Sequence, residues 1–473
     1  MTRIEDLVGA EAVSRSAGDL DEYVVDAAGV GEPPVAVVRP GSAAEVHGMV
    51  MLANELSTPL VPVSSGAPHK YGDTVPGAPG ALMLDLRRLD KLLRIDRRNR
   101  VAVLEPGVTW PQAQAALAGH GMRITPPLRP RRNKSVVASL LERQPTLMPR
   151  YNHALPEPLR DCGVVWGSGE TLFTGEAGSA APSLEAQWRA GLVQTEAKGP
   201  AQTDFYRLLT GAQGTMGVVT WASVKCELVP EVHRLRFVAA DRLEQLIPLT
   251  RELCLQRLGD EVLLFNAARV RSLLESVLAP PWVLVLGLGG RLHLAAERVQ
   301  VQEEDLERLA AVHGLAVQDE VAGVAAPRFD EVLWGYDDGS PGRDPDRHAE
   351  VFFLTTLSKV PDFLTVMWSV AEGAGFAADD VEVYIQPQHQ GVSHHVEFRV
   401  PGAGDGSDSR SRLAALAGER LIEAGAYFSR PYGPWAGPVY ERDPSSRDVL
   451  RRVKAVFDPA GVMNPGRLCF GEA

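Results

Sequence analysis

Cysteine is scarce in this chain: there are four in 473 residues, at Cys162, Cys226, Cys254 and Cys469. Their scatter gives no disulfide framework and no CxxC pair for a metal, which suits a reducing compartment. Apolar runs long enough to span a bilayer are absent. So is the basic-then-apolar opening of a signal peptide, because the N-terminal stretch carries Glu5, Asp6, Glu11, Asp19 and Asp21. Positive charge is in deficit, with 48 Lys and Arg against 60 Asp and Glu and a net charge of −12. That balance argues against non-specific attraction to nucleic acid or an anionic membrane. Internal repeats and low-complexity tracts are lacking too. The expectation is a cytoplasmic protein with no nucleic-acid partner and no membrane insertion.

What is present is ordinary globular material, 45% hydrophobic and 23% charged. A chain of 473 residues outgrows one core, so two or more domains are expected. Residues 1–33 read as a leader segment with a helix or two. Pro34 to Pro40 is a buried strand bounded by prolines. Ser42 and Glu45 have capping-box spacing at the head of a helix that ends near Leu56. Next comes the stretch around which the chain is organised, Leu60 to Asp73. An apolar strand, Leu60 to Val63, runs into Ser64, Ser65, Gly66 and Ala67. Consecutive backbone N–H groups in such a bend can converge on an anion, and Gly66 and Gly72 allow backbone conformations that other residues resist. An ordinary strand-to-loop turn would read the same way. A strand at Ala81 to Leu86, a strand and turn at Val101 to Thr109, and a helix from Trp110 to His120 follow.

In this order the chain resembles the FAD-binding domain of the vanillyl-alcohol oxidase / p-cresol methylhydroxylase family. The matching pieces are Pro62-Val63-Ser64-Ser65-Gly66, Leu84-Asp85-Leu86 and Val103-Leu104-Glu105-Pro106-Gly107-Val108-Thr109. Phe205 to Thr220, with Gly214-Thr215-Met216-Gly217-Val218, resembles the family's Gly-Thr-x-Gly-hydrophobic motif. Phe457-Asp458-Pro459-Ala460-Gly461-Val462-Met463-Asn464-Pro465-Gly466-Arg467 resembles its closing signature. Lys134 to Ser139 stands where the family often has a glycine-rich stretch and departs from it. The resemblance implies FAD, held by Ser64, Ser65, Gly66, Ala67, His69, Gly72, Pro106, Gly107, Ser135, Ser139, Gly211, Gly214, Gly217, Val219 and Asn464. His69 lies near where some relatives attach flavin covalently, and a cofactor-contacting or solvent-facing histidine is the alternative. Arg129, Arg131, Arg132 and Lys134 form a basic cluster that could face phosphates, an anionic substrate or solvent.

From about Pro230 the pattern changes to alternating strands and helices, an α+β domain with a mainly antiparallel sheet. The run Gly287-Leu288-Gly289-Gly290 is not a dinucleotide fingerprint, because Leu292 takes the place of the last glycine. Ala325 to Ala349 and Gly402 to Ser409 read as loops. Val381 to Gln386 puts Glu382, Tyr384 and Gln386 on one strand face, and Ser393 to Val400 does so for His395, Glu397 and Arg399. Such a face suits solvent or a site where a histidine–carboxylate pair takes a proton. His389, in the intervening turn, is another polar candidate. Phe428 to Trp435 packs Arg430 and Tyr432 beside turn residues; relatives that oxidise phenols hold the substrate oxygen with such side chains, whereas a purely structural aromatic turn is the plainer reading.

The fold expected is therefore α+β: a PCMH-type two-part FAD-binding domain (34–229), an α+β substrate or cap domain (230–422) and a C-terminal segment (423–473) returning to the FAD domain. The function expected is FAD-dependent oxidation of a small organic substrate, with Tyr384, His395, Glu397, Arg430 and Tyr432 as catalytic candidates and no metal. The Glu-His-Gly segment of the metal-dependent D-lactate and glycolate branch is absent. The alternative is an FAD-binding electron-transfer or assembly subunit of a larger complex. Substrate, electron acceptor and oligomeric state stay open, a homo-oligomer being allowed.

Overall fold

The computed structural model describes residues 2–24, 31–69, 71, 74–148, 157–178, 183–191, 203–275, 278–337, 348–401 and 407–471. Three main sheets organise it. The first is four-stranded, in the order Val13–Ser14, Ala36–Val38, Leu82–Asp85, Leu60–Val63. Its last three strands run parallel. They are short and apolar, as parallel strands covered on both faces must be. Helix Ala43–Leu56 lies between the first two parallel strands in sequence and buries Val46, Met49, Val50, Leu52 and Ala53. Ser42 caps it, its Oγ accepting from the Glu45 amide at 3.2 Å while Glu45 accepts from the Gly41 amide at 2.8 Å.

The second sheet is five-stranded and antiparallel: Leu92–Asp96, Val101–Leu104, Gly217–Lys225, Leu159–Trp166, Thr171–Phe173. The third has seven strands, all its pairs antiparallel, ordered Val317–Gln318, Val232–Ala240, Trp282–Gly290, Glu261–Asn266, Glu382–Gln388, Ser393–Pro401, His348–Thr355. Strand alternation divides its side chains cleanly. Val262, Leu264, Val383, Ile385, Val396 and Phe398 join one large core, with residues of helices Leu243–Gln256, Ala295–Val312 and Val360–Gly373. Leu263, Phe265 and Tyr384 join a smaller core on the other side, with Leu147, Phe329 and Leu333. That second face looks toward the first two sheets.

The chain's end closes the assembly. Leu60 donates to the Val462 carbonyl at 2.8 Å, and Asn464 donates to the Leu60 carbonyl at 3.0 Å, so the Asp-Pro-x-Gly turn adds itself to the first sheet. Lys454, on helix Pro444–Phe457, is buried. Its ammonium pairs with Asp458 and donates to the carbonyls of Thr215 at 2.7 Å and Met463 at 3.1 Å.

Two readings of the sequence need correction. Residues 1–33 are more than a leader with helices: Val13–Ser14 is the edge strand of the first sheet, and Tyr23 is fully buried. The expected loop from Ala325 to Ala349 contains helix Ala326–Leu333, which opens on a proline and buries Phe329 and Leu333. Proline in the first turn of a helix lacks only an N–H that would go unused there, so it starts the helix rather than breaking it. Helix Ser407–Glu423 likewise begins inside the expected loop 402–409, whose residues 402–406 lie outside the described residues. Among the described residues no helix is long and apolar enough to cross a membrane.

Candidate active site

A cavity of ≈ 270 Å³ lies between the loops of the first two sheets and the inner face of the third. Its first wall is made by Ser64, Ser65, Pro106 and the run from Gly211 to Val219. Gly214 has φ +71°, and a Cβ there would stand 2.7 Å from Pro62 Cγ, so glycine alone lets this run close on the Leu60–Val63 strand. Asn464 ties the same run down, its side-chain amide donating to the Gln213 carbonyl at 2.7 Å.

The small-residue bend is only partly free. The Gly66 amide donates to the Asn133 carbonyl at 3.1 Å, and the Ala67 amide to the Glu22 carboxylate at 3.2 Å. These two amides are committed to the protein, which corrects the expectation that all four residues grip an anion. Ser64 and Ser65 are the ones that line the cavity. Ser135 and Ser139 are corrected in the same way. Ser135 caps helix Val136–Leu141, accepting from the Ala138 amide at 3.0 Å, and Ser139 accepts from Trp110 Nε1 at 3.0 Å. Gly107 is buried by packing, because a Cβ there would meet the carbonyls of Leu89, Arg87 and Leu86 within 2.8 Å. Gly72 lies outside the described residues. His69 lines the cavity, lies tilted 4.9 Å from the Tyr23 ring and shares a 2.8 Å hydrogen bond with Thr74. Of the basic cluster, Arg129, Arg131 and Lys134 line the cavity; Arg131 donates to the Gly66 carbonyl at 3.1 Å and Lys134 pairs with Glu142. Arg132 lies over the Tyr336 ring instead.

The second wall is the polar face of the seven-stranded sheet. Register places Tyr384 beside Glu397, Gln386 beside His395, and Arg399 between Glu382 and Glu350. These side chains do not face solvent: Tyr384, Gln386 and His395 are 2%, 0% and 2% exposed. Arg269, from helix Ala267–Leu274, donates to Glu382 at 2.8 Å and reaches Glu397 at 3.7 Å. Burial opposes ionisation of Glu397, but His395 at 3.4 Å and the Arg269 charge outweigh it and hold the carboxyl below the usual range. Burial pushes the His395 imidazole down, against the pull of Glu397. At neutral pH the pair is therefore an imidazole donating to a carboxylate. Tyr384 is raised well above an ordinary phenol by burial and then by the Glu397 charge, so it stays protonated and donates to Gln386. Gln386 in turn donates to the Thr146 carbonyl, across the cavity's seam.

Tyr384 and Glu397 line the cavity, whereas His395 does not. It stands behind Glu397, with the Phe352 and Tyr384 rings for neighbours. His389 hydrogen-bonds Ser393 at 2.7 Å and is also away from the cavity wall.

Arg430 and Tyr432 close the far end, both buried and both lining the cavity. The Arg430 guanidinium lies 3.8 Å over the Phe352 ring and, among the described residues, has no hydrogen bond or ion pair. Their segment is held from the other side of the seam: Arg143 donates to the Ser429 carbonyl at 3.4 Å and Gln213 to the Pro431 carbonyl at 2.9 Å. Sequence reasoning missed Tyr71, which lines the cavity here, stacks 4.8 Å from Tyr432 and donates to Glu350 at 3.0 Å. It missed Arg269 and Glu350 as well. Tyr71 lay in the singled-out stretch, two residues after His69, but its partner is 279 positions away. Among the described residues no three His, Cys, Asp or Glu side chains converge as a metal site requires.

A family model described as an FAD binding domain matches residues 34–141, and one described as the C-terminal domain of FAD linked oxidases matches residues 439–468. The chain is 24% identical over 99% of its length, and 98% of the relative's, to an uncharacterized FAD-linked oxidoreductase of Mycobacterium tuberculosis. It is 28% identical to 1'-carboxy-chondrochloren decarboxylase of Chondromyces crocatus over 63% of this chain, but spans only 57% of that relative. The structure of p-cresol methylhydroxylase with substrate bound superposes with a TM-score of 0.81, at 16% identity, covering 99% of this chain and 96% of the other. That of 4-ethylphenol oxidase from Gulosibacter chungangensis gives 0.80 at 17% identity, with the same coverage of 99% and 96%. The cavity fits such a cofactor on its own evidence, because one wall is rich in small residues, Ser64, Ser65, Gly211, Gly214 and Gly217, and the opposite wall carries charged groups. The chain thus carries an FAD binding domain and the C-terminal domain of FAD linked oxidases on the fold of p-cresol methylhydroxylase, and it is an FAD-dependent oxidase or dehydrogenase.

Proposed function

We infer that this enzyme oxidises a small organic molecule carrying a phenolic or alcoholic hydroxyl, at the carbon activated by that group. The observation that carries the reading is Arg430: a buried guanidinium, supported on an aromatic ring, facing the cavity without a counter-ion among the described residues. Such a group is costly to bury and is offset when an anionic oxygen arrives. 4-Cresol dehydrogenase, 35% identical to this chain over 17% of its length, and 4-ethylphenol oxidase are named for phenols, the class proposed here.

When bound, FAD supplies the two-electron acceptor. Ser64 and Ser65 would meet its phosphates, and Pro106, Gly211, Gly214, Gly217 and Val219 would form the wall along which it lies. His69 and Asn464 would flank it. Arg430 and Tyr432 would anchor the substrate oxygen. Tyr384, kept protonated, would orient the reacting carbon, and Glu397, kept ionised, would fix the charge beside it. His395 would act through Glu397 as a positioning residue. Arg129, Arg131 and Lys134, which line the same cavity, would add positive charge on the phosphate side.

The test is anaerobic bleaching of the bound flavin by 4-alkylphenols, benzylic alcohols and 2-hydroxy acids. A phenol should bleach it in the isolated protein, and Arg430→Ala should weaken phenol affinity about 10- to 100-fold, the loss of one charge-assisted contact. Bleaching only by hydroxy acids would move the substrate class. No bleaching without a partner protein would favour the electron-transfer subunit.

A further inference from the structure

Arg430 and Glu350 stand out at the far end of the cavity. Among the described residues Arg430 has no carboxylate partner, and Glu350 has no ion pair and one hydrogen bond, from a phenol, Tyr71. Tyr71 belongs to the loop that follows the Ser64–Ser65 bend; Glu350 is on the edge strand His348–Thr355 of the seven-stranded sheet. Both line the cavity, as does Tyr432 stacked on Tyr71. A hydroxyl that donates to Glu350 keeps its oxygen lone pairs for a second donor.

We propose that Glu350, acting through Tyr71, takes the hydroxyl proton of the substrate as the substrate oxygen settles against Arg430. The inference rests on the phenolic reading above. The transfer balances without a co-reactant. The substrate O–H bond breaks and its proton forms a new O–H on Tyr71; the proton Tyr71 already carried passes to Glu350 Oε2. The substrate ends as an oxyanion and Glu350 as a neutral acid, and no electrons change hands.

Two features make the acceptor Glu350 rather than Tyr71 or a neighbour. Burial and then the Glu350 charge raise Tyr71 far above an ordinary phenol, so it cannot keep a negative charge and must release one proton as it gains another. The other nearby acid, Glu397, is engaged by His395 and Arg269 and held ionised. The charges around Glu350 come from every element packed there. Arg399, Glu397 and His395 lie on the adjacent strand, His348 on its own strand, and Arg430 on the segment after helix Ser407–Glu423. Asp337 also acts on Arg399. An incoming oxyanion shares Arg430, and moving one proton to Glu350 keeps the local charge unchanged.

The experiment uses the flavin-bound enzyme and 4-fluorophenol. Fluorine NMR reads whether the bound ligand is phenol or phenolate, and calorimetry in two buffers counts the protons exchanged. Wild type should bind phenolate with no net proton released and an affinity flat between pH 6 and 8. Glu350→Gln should release about one proton per ligand, its affinity rising about tenfold per pH unit, or should hold the ligand as neutral phenol. Tyr71→Phe, which keeps the stacked ring, should show the same change with Glu350 intact. Neutral phenol on the wild type, a proton released by the wild type, or phenolate bound by Glu350→Gln without proton release would each overturn the relay and leave the phenolic reading standing. Failure of any phenol to bind the wild type would overturn both.

Discussion

His394 shows how much one residue's placement can matter. It neighbours His395 in sequence, yet its ring points to the opposite face of the strand, is 3% exposed, and has neither nitrogen hydrogen-bonded among the described residues. Burial lowers its pKa to about 4. The unfolded chain, with a value near 6.5, binds that proton more readily than the folded one. Stability is therefore full above about pH 6.5 and falls as pH drops toward 4, by roughly 3 kcal/mol in all. His394→Leu should remove this slope. Urea midpoints at pH 7 and pH 5 check it, and identical pH slopes for the two proteins would contradict the assignment. At this scale Arg430 was legible, because arginine, tyrosine and tryptophan crowd one short turn. Tyr71 was not, because its meaning lies in contacts with Glu350 and Tyr432, far along the chain.

At the scale of elements, the two-residue period of the strands was the most dependable signal. It put Glu382, Tyr384 and Gln386 together, and the structure keeps them together. What periodicity could not say was whether that face met water or another part of the protein, since both tolerate polar side chains. Helix Ala326–Leu333 escaped for a different reason: its proline and its neighbours' glycines mimic a loop, and only the burial of Phe329 and Leu333 distinguishes it. The closing turn was legible as a motif, although its mechanics were not. Burial pushes the Lys454 ammonium down against the pull of Asp458, while Asp458 accepts from the Val462 and Met463 amides at 3.1 and 2.9 Å. Lys454→Met would leave Asp458 buried without its cation, a change of about 3–5 kcal/mol where such pairs are broken one-sidedly. Because Lys454 also holds the Thr215 carbonyl, flavin retention should fall with the melting temperature. Lys454→Met combined with Asp458→Asn should recover part of that loss; a double variant no better than the single would argue against the pair as its source.

At the scale of the whole molecule, the site exists only where separate parts of the chain meet, and specific side chains join them. Tyr71 to Glu350, Gln386 to Thr146, and Arg143 to Ser429 all cross the seam. So does the contact of Arg123 with Glu261 and the Trp334 ring. The ordered motifs announced that both ends of the chain belong to one FAD-binding part, but side-chain bonds between distant segments leave no local trace in a sequence. Gln213 is the most telling of them. Its backbone carbonyl takes the Asn464 amide, and its own side chain holds Pro431, one residue from both Arg430 and Tyr432. The cofactor run and the substrate anchor thus share one residue. Gln213→Ala keeps the backbone contact with Asn464 and removes only the bond to Pro431. One such neutral hydrogen bond is worth about 1 kcal/mol, so phenol affinity should fall about fivefold while flavin affinity holds. Titrating a phenol into the flavin-bound variant measures the first, and flavin release on dilution measures the second. Parallel loss of both would mean that Gln213 merely supports the cofactor run; unchanged phenol affinity would mean that Arg143 and the packing of Trp435 suffice to place Arg430.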